Sequence, residues 1–138
     1  MRIYMDSAIV IRLIEGTDEM RSIIRARCLA LPGLVLCSSP LVRLECLPKV
    51  IRAKASSTRA DYETFFDRVE TLIVDASAFE RAVELASTVS LKAMDALHLA
   101  TAEVNECNEF WTADSDYHAA LGGSRIHIEI TSFHQSGR

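Results

Sequence analysis

The sequence predicts an α/β fold, a three-layer α/β/α sandwich with a mostly parallel central sheet. Short apolar runs rich in strand-forming residues alternate along the chain with longer segments of helical periodicity. Two of the apolar runs lead directly into the helix-capping pairs Asp6-Ser7 and Ser39-Pro40. Strands that alternate with helices form a mostly parallel sheet that is covered on both faces. The 138 residues contain no internal repeat or interdomain linker, so we expect one domain over 1–132 and a frayed tail over 133–138.

The first half of the chain contains two predicted strands and three predicted helices. Gly16 lies at the end of the first helix, and Thr17 caps the second, which runs to the break at Pro32-Gly33. Pro48 either kinks or restarts the third helix. In chain order the segments are strand RIYM, helix AIVIRLIE, helix MRSIIRARCLA, strand LVLC and helix LVRLEC.

The second half is organised around one apolar helix, LKAMDALHLATAEV, which we predict over Leu91–Val104. Ala, Leu and Met dominate this helix, and it is apolar nearly all round, so we expect partners on several sides. The polar stretch KASSTRAD indicates a turn, and Asp75 or Ser77 caps the helix before the central one. The other segments are helix DYETFFDRVETL, strand LIVD, helix AFERAVELAS, strand EFWTAD, short helix SDYHAAL with Gly122-Gly123 at its end, and strand RIHIEI.

The charge is unevenly distributed. A net charge of −4 by itself argues against a nucleic-acid partner. The stretch from Arg43 to Arg59 nevertheless carries five basic residues with only Glu45 among them, and RSIIRAR carries three more. Each cluster is either a solvated helix face or a surface for nucleic acid.

The cysteines indicate a reducing compartment. The four cysteines form no CxxC or other close pair in the sequence, and flanks such as VLCSS are typical of core positions. Reduced thiols in a cytoplasm are therefore the simplest interpretation, and the scattered histidines argue against a zinc site. No apolar run approaches the roughly 18 residues that span a bilayer, and the N-terminus lacks a signal-peptide pattern. We expect a cytoplasmic protein with no membrane segment.

Five acidic residues are expected at one edge of the predicted sheet. Asp6 follows the first strand, Asp114 and Asp116 follow the fourth, Glu45 lies in the helix after the second, and Asp95 begins the central helix. Ligands of such sheets bind outside the carboxyl ends of the strands. Clustered carboxylates raise one another's pKa unless cations neutralise them, and oxygen ligands suit Mg²⁺ or Mn²⁺. Two such ions can support phosphodiester hydrolysis.

Taken singly, each acid also has a purely structural interpretation. Asp6 is well placed as a helix cap, and Asp95 could cap its helix or pair with Lys92. Glu45 lies one turn from Lys49, which would give an ordinary surface pair. The two acids after the fourth strand are typical turn residues.

Four segments together resemble the PIN domain, and within it the small VapC-type toxins of type II toxin–antitoxin pairs. They are IYMDSAIVIRLIE, SSPLVRLECL, LKAMDALHLATA and FWTADSDY, and the resemblance extends from about Arg2 to Thr131. The third is the most specific, because an apolar-Asp-Ala-Leu-x-x-Ala-x-Ala pattern is close to a family signature. The fourth has its Thr, its two Asp residues and Tyr117 in the expected places.

The resemblance implies a metal-dependent endoribonuclease that uses Mg²⁺ (or Mn²⁺) and leaves a 5′-phosphate and a 3′-hydroxyl. No expected acid is missing from the sequence. Residue by residue, it implies the catalytic residues Asp6, Glu45, Asp95 and Asp114, the metal ligands Asp6, Asp95, Asp114 and Asp116, and the supporting hydroxyls of Ser7 and Thr112.

The resemblance also implies partners: an RNA substrate, a cognate antitoxin protein and a second copy in a homodimer. Arg43, Lys49, Arg52 and Lys54 are candidates for contacts with the RNA backbone. Phe65-Phe66 is a candidate for the dimer surface or for the antitoxin groove, and core packing is its structural alternative.

Two other functions compete with the nuclease. A receiver-like phosphoacceptor signalling module also places acids around Mg²⁺, without nuclease activity. It would require paired acids after the first strand and a Lys after the last, whereas here Asp6-Ser7 and RIHIEI occupy these places. A hydrolase triad of Ser7, His98 and Asp95 lacks the GxSxG elbow around its serine.

Overall fold

Five parallel strands form one sheet in the order β3-β2-β1-β4-β5 within residues 1–133, the part of the chain that the computed structural model describes. The central strand β1 pairs with β2 on one side and with β4 on the other. All four pairings are parallel, so the carboxyl ends of the strands lie at one edge of the sheet. The strands are β1 (Arg2–Met5), β2 (Val35–Ser38), β3 (Glu70–Thr71), β4 (Glu109–Thr112) and β5 (His127–Ile130).

Helices cover both faces of the sheet, as predicted. The chain runs from β1 outward to β3 and then returns past β1 to β4, so right-handed crossovers place the first four helices on one face and the next two on the other. A 3₁₀ helix follows β4. The helices are α1 (Ser7–Glu15), α2 (Asp18–Leu29), α3 (Pro40–Arg52), α4 (Ser56–Arg68), α5 (Ala76–Thr88), α6 (Ala93–Val104) and the 3₁₀ helix (Ser115–Ala120).

Most predicted helix caps are observed. The side chains of Asp6, Thr17, Ser39 and Asp75 each accept a hydrogen bond from a backbone N–H in the first turn of the helix that follows. Such bonds satisfy donors that have no partner within the helix. Pro48 lies inside α3, which continues through it without restarting.

Several predicted element boundaries differ from the observed ones, among them those of α4, β3 and α6. Residues 54–61 were predicted as a turn, but α4 begins at Ser56 and ends at Arg68, short of the predicted DYETFFDRVETL. The third strand is Glu70–Thr71, because these residues pair with Cys37 and Ser38 of β2, and the apolar run LIVD follows the paired stretch. Helix α6 begins two residues after the predicted Leu91.

The core lies on both sides of β1 and around α6. Ile3, Tyr4 and Met5 of β1 are fully buried, and every residue of α6 from Ala96 to Glu103 is buried. This confirms that the central helix packs on several sides. Phe66 is buried beside Tyr62, whereas Phe65 is half-buried.

All four cysteines are free thiols, and three of them are buried, as their flanking residues predicted. No helix within residues 1–133 is long and apolar enough to cross a membrane. The predicted frayed tail at 133–138 lies, apart from Phe133, outside the described residues.

Candidate active site

Three carboxylates converge at the carboxyl edge of the sheet. Each of the three residues has one carboxylate oxygen within 4.8 Å of a carboxylate oxygen of the other two; they are Asp95, Asp114 and Asp116. Asp95 lies in the first turn of α6, and the other two lie where β4 leads into the 3₁₀ helix. Because β4 follows α6 in the chain and lies beside β1, the fold brings these distant positions together.

Asp6 lies beside this cluster and is almost fully buried, at 3% exposure. Its Oδ1 accepts the Ile9 N–H that it caps, and its Oδ2 accepts the Thr112 hydroxyl at 2.6 Å. The Thr112 hydroxyl oxygen in turn accepts the backbone N–H of Asp114, which links the ends of β1 and β4. Asp6 does not belong to the close set of three carboxylates, but its pKa is raised by burial and, to a smaller extent, by the charge of Asp114.

Two hydrogen bonds hold the Glu45 side chain in place. Its Oε1 accepts the Ser7 hydroxyl at 2.5 Å, and the Nε2 of His98 lies 2.5 Å from the same oxygen. The other ring nitrogen of His98 lies 2.7 Å from the hydroxyl of Tyr4. Thus α1, α3, α6 and β1 all contribute to fixing this one carboxylate.

The site raises the pKa of two of its acids and lowers that of a third. Burial, together with the charge of Asp114, raises the pKa of Asp6 to about 6 despite its two hydrogen bonds. Burial and then the charge of Asp114 raise the pKa of Asp95. The hydrogen bond from His98 lowers the pKa of Glu45. A group of acids in which some ionise reluctantly is the arrangement that a bound cation would neutralise.

The donor set fits a hard divalent cation. Within the described residues, the cluster offers carboxylate oxygens and no Cys or His ligand, as Mg²⁺ and Mn²⁺ prefer. Asp95 and Asp116 also line a cavity of about 570 Å³, together with Lys92, Ser90 and Ser115. The cavity leaves room for a substrate phosphate beside the cluster.

Two of the alternative pairings are not observed. Among the described residues, neither Glu45 with Lys49 nor Asp95 with Lys92 forms an ion pair. The cap interpretation holds for Asp6 and not for Asp95, because the described residues show no side-chain cap hydrogen bond at the start of α6. Asp114 has the predicted role of a turn residue and caps the 3₁₀ helix, since its Oδ1 accepts the N–H of Asp116. The cap hydrogen bond occupies Oδ1 of Asp114 and leaves its Oδ2 available to a ligand. The second oxygen of Asp6, Oδ2, accepts the hydrogen bond from the Thr112 hydroxyl.

The proposed triad of Ser7, His98 and Asp95 does not form. Both ring nitrogens of His98 are taken by Tyr4 and Glu45, and Ser7 donates to Glu45. Sequence reasoning missed Tyr4 as part of the site, and it considered His98 only as a member of that triad and not as a partner of Glu45. The available signal was the position of His98 one helical turn after Asp95.

The predicted RNA-binding residues lie on α3 and just after it. Arg43 forms an ion pair with Glu63 at 2.9 Å, and its guanidinium lies over the ring of Phe66. Lys49 and Arg52 are exposed in the last turn of α3, and Lys54 is exposed beyond it. Lys49 and Arg52 follow Glu45 along a helix that leaves the carboxyl edge, and Lys54 lies just after that helix. All three therefore lie outside the carboxylate cluster.

A second concave surface, the helix groove, lies between α1, α2 and α4. It has a volume of about 810 Å³, and Phe65 contributes to its apolar wall. Three arginines and one aspartate add charge to it. They are Arg21, Arg25, Arg68 and Asp61.

The fold and the site define a class of protein: a single parallel α/β sheet with an acidic crevice beyond its central strands. A family model described as "PIN domain" matches residues 3–122. The chain belongs to the PIN domain family. Membership of this family favours the nuclease over the receiver-like phosphoacceptor module.

Solved structures share the fold over nearly the whole chain. VapBC2 from Rickettsia felis, bound to a DNA fragment from its promoter, has a TM-score of 0.73 at 14% identity and covers 96% of this chain and 100% of its own. A toxin–antitoxin complex from Klebsiella pneumoniae has a TM-score of 0.67 at 23% identity, with coverages of 87% and 93%. VapC20 from Mycobacterium tuberculosis, described as a toxin that cleaves the sarcin–ricin loop, has a TM-score of 0.67 at 20% identity, with coverages of 86% and 94%. A search of curated protein sequences gives no match.

Proposed function

We propose that this protein is a metal-dependent endoribonuclease and acts as the toxin of a toxin–antitoxin pair. The observation that carries the proposal is the convergence of Asp95, Asp114 and Asp116 within 4.8 Å at the carboxyl edge of a PIN-domain sheet. The structural neighbours named VapBC and VapC support the choice of substrate and partner.

The roles of the acids follow from their positions. Asp95, Asp114 and Asp116 would hold one or two Mg²⁺ or Mn²⁺ ions, and Asp6 would complete the ligand set from its buried place beside them. A divalent cation bound there would lower the pKa of a water molecule and offset the charge of the phosphodiester. Glu45 would orient water through Oε2, which has no hydrogen-bond partner among the described residues.

The RNA backbone would reach the site past basic side chains. Lys49, Arg52 and Lys54 are exposed, and Lys92 lines the cavity of Asp95. Contacts between such residues and phosphates make binding depend strongly on salt. Arg43 is a weaker candidate than the other residues of α3, because Glu63 and Phe66 already engage its guanidinium.

The activity is tested with the purified protein, a structured RNA and Mn²⁺ or Mg²⁺. Cleavage should stop with EDTA and fall by at least about 100-fold in Asp95→Asn and in Asp114→Asn, because each loses a charged ligand. Asp67→Asn, on the exposed side of α4, is the matched control and should cleave at the wild-type rate. Wild-type rates in Asp95→Asn would refute the metal mechanism.

The helix groove is our candidate for the antitoxin. Its apolar wall with Phe65 and its excess of arginine suit an amphipathic segment that carries acidic residues. Charge reversal in Arg25→Glu together with Arg68→Glu should abolish co-purification with a small protein encoded beside this one, and RNA cleavage should persist. Arg125→Glu, with an exposed side chain outside the groove, is the control. Unchanged co-purification would exclude this surface.

We also propose that the protein forms a homodimer. Exposed apolar side chains lie on and just before α5: Ile73 is 70% exposed, Phe79 54% and Val83 67%. Such a patch is typical of a surface that another molecule covers. Light scattering should show a dimer for the wild type and a monomer for Phe79→Glu combined with Val83→Glu. A dimer that survives both changes would place the interface elsewhere.

A further inference from the structure

His98 is a buried histidine with a hydrogen-bond partner at each ring nitrogen. It is 1% exposed, with Nδ1 lying 2.7 Å from the Tyr4 hydroxyl and Nε2 lying 2.5 Å from Glu45 Oε1. The Tyr4 hydroxyl also lies 2.8 Å from the Ser39 hydroxyl. The roles given above to the acids do not explain why Glu45 lies at the end of this row of four hydrogen-bonded side chains.

The donors and acceptors in this row can be assigned. An ionised Glu45 only accepts, so the Nε2 of His98 must carry a proton and donate it. In the neutral imidazole Nδ1 is then an acceptor, which takes the Tyr4 hydroxyl proton, and the Ser39 hydroxyl donates to the Tyr4 oxygen. Every hydroxyl then donates once, and the bonds all point from Ser39 toward Glu45. One tautomer of His98, with the proton on Nε2, satisfies the whole row.

We propose that His98 is a positioning residue for Glu45, locked in the Nε2–H tautomer by Tyr4, and that it leaves Glu45 Oε2 available to the acidic crevice. The proposal rests on the nuclease function proposed above. The side chain of Glu45 is 36% exposed, so without such a clamp its three rotatable bonds would spread it over several rotamers. Ser7 alone gives one hydrogen bond to Oε1, and His98 supplies the second from the opposite side of the fold.

Three substitutions test the clamp. His98→Leu removes the donor and should lower kcat for RNA cleavage by about 10- to 100-fold with little change in KM, as loss of a partner that orients a ligand does. His98→Gln places an amide N–H near the position of Nε2 and should recover most of the loss. His127→Gln, an exposed histidine of β5, is the matched control. Thermal unfolding of each variant identifies any loss that comes from misfolding.

A second measurement does not depend on activity. Nitrogen-15 NMR of the imidazole should show His98 protonated at Nε2 in the wild type and its Nδ1 signal shifted in Tyr4→Phe, whose side chain cannot donate. An Nδ1–H tautomer would overturn the proposal, as would wild-type kcat in folded His98→Leu, or equal losses in the Leu and Gln variants. If the wild type cleaves no RNA with Mn²⁺, the nuclease function fails first and the positioning role fails with it. The two failures are therefore distinguishable.

Discussion

The burial of Asp6 should make its own contribution to the stability of the metal-free protein less favourable at neutral than at mildly acidic pH. In the folded chain the pKa of Asp6 rises from 3.8 to about 6, chiefly because the carboxyl group is buried. The folded state therefore binds this proton more tightly than the unfolded state, and the contribution of Asp6 to stability decreases as the pH rises from about 4 to about 6.5. At 1.36 kcal/mol for each pKa unit, the full effect is about 3 kcal/mol.

Asp6→Asn should remove that penalty. The amide oxygen can still cap Ile9, and the Thr112 hydroxyl can rotate to accept from the amide nitrogen. In EDTA, the variant should gain about 2 to 3 kcal/mol relative to the wild type between pH 4 and pH 7.5. Other acids titrate in the same range, and the comparison with the wild type cancels their contributions.

Urea unfolding at a series of pH values measures this difference. Asp75→Asn is a control of opposite sign, because hydrogen bonds from Ser77 and Ala78 lower the pKa of that exposed cap. Asp75 thus contributes stability that is present above its unfolded pKa and is lost as the pH falls, so its variant should lose rather than gain stability at neutral pH. Parallel pH curves for the wild type and Asp6→Asn would show that the burial of Asp6 has no such cost.

Three further predictions concern stability. Gly16→Ala should lower the free energy of unfolding by roughly 1–3 kcal/mol in urea, because its Cβ would lie 2.2 Å from the Arg12 carbonyl oxygen; an unchanged midpoint would contradict this. Arg81→Met should cost roughly 3–5 kcal/mol, because Glu103 is fully buried, and adding Glu103→Leu should restore part of the loss. Mn²⁺ should raise the melting temperature of the wild type, and it should raise that of Asp114→Asn much less. Equal rises in the two proteins would place the ion elsewhere.

The order of helices and strands could be predicted from the sequence, because capping residues satisfy the free N–H groups at helix starts and so indicate where helices begin. Asp6, Thr17, Ser39 and Asp75 cap helices in the structure as predicted. The edge strand β3 was misplaced because two residues carry no usable periodicity, and its position is set by pairing with β2. That pairing is a tertiary contact, which a local apolar run such as LIVD does not encode.

The candidate site was predictable as a set of residues and less so as a geometry. Strand ends and helix starts predicted which acids lie at the carboxyl edge, and Asp95, Asp114 and Asp116 meet there. The sequence did not predict that Asp6 lies outside this close set of three, because its position depends on the hydrogen bond from Thr112 and on its burial. Both are properties of the packed ends of β1 and β4.

Glu45 shows most clearly what local reasoning omits. On its own helix, Lys49 is the obvious partner one turn away, yet the structure connects Glu45 to Ser7 and His98 instead. His98 lies three residues after Asp95, so the same face of α6 presents a carboxylate to the cluster and an imidazole to Glu45. Because α6 is buried over most of its length, its position cannot shift without moving both groups. The apolar packing of this helix therefore fixes the position of Asp95 relative to Glu45, although the two acids lie far apart in the sequence.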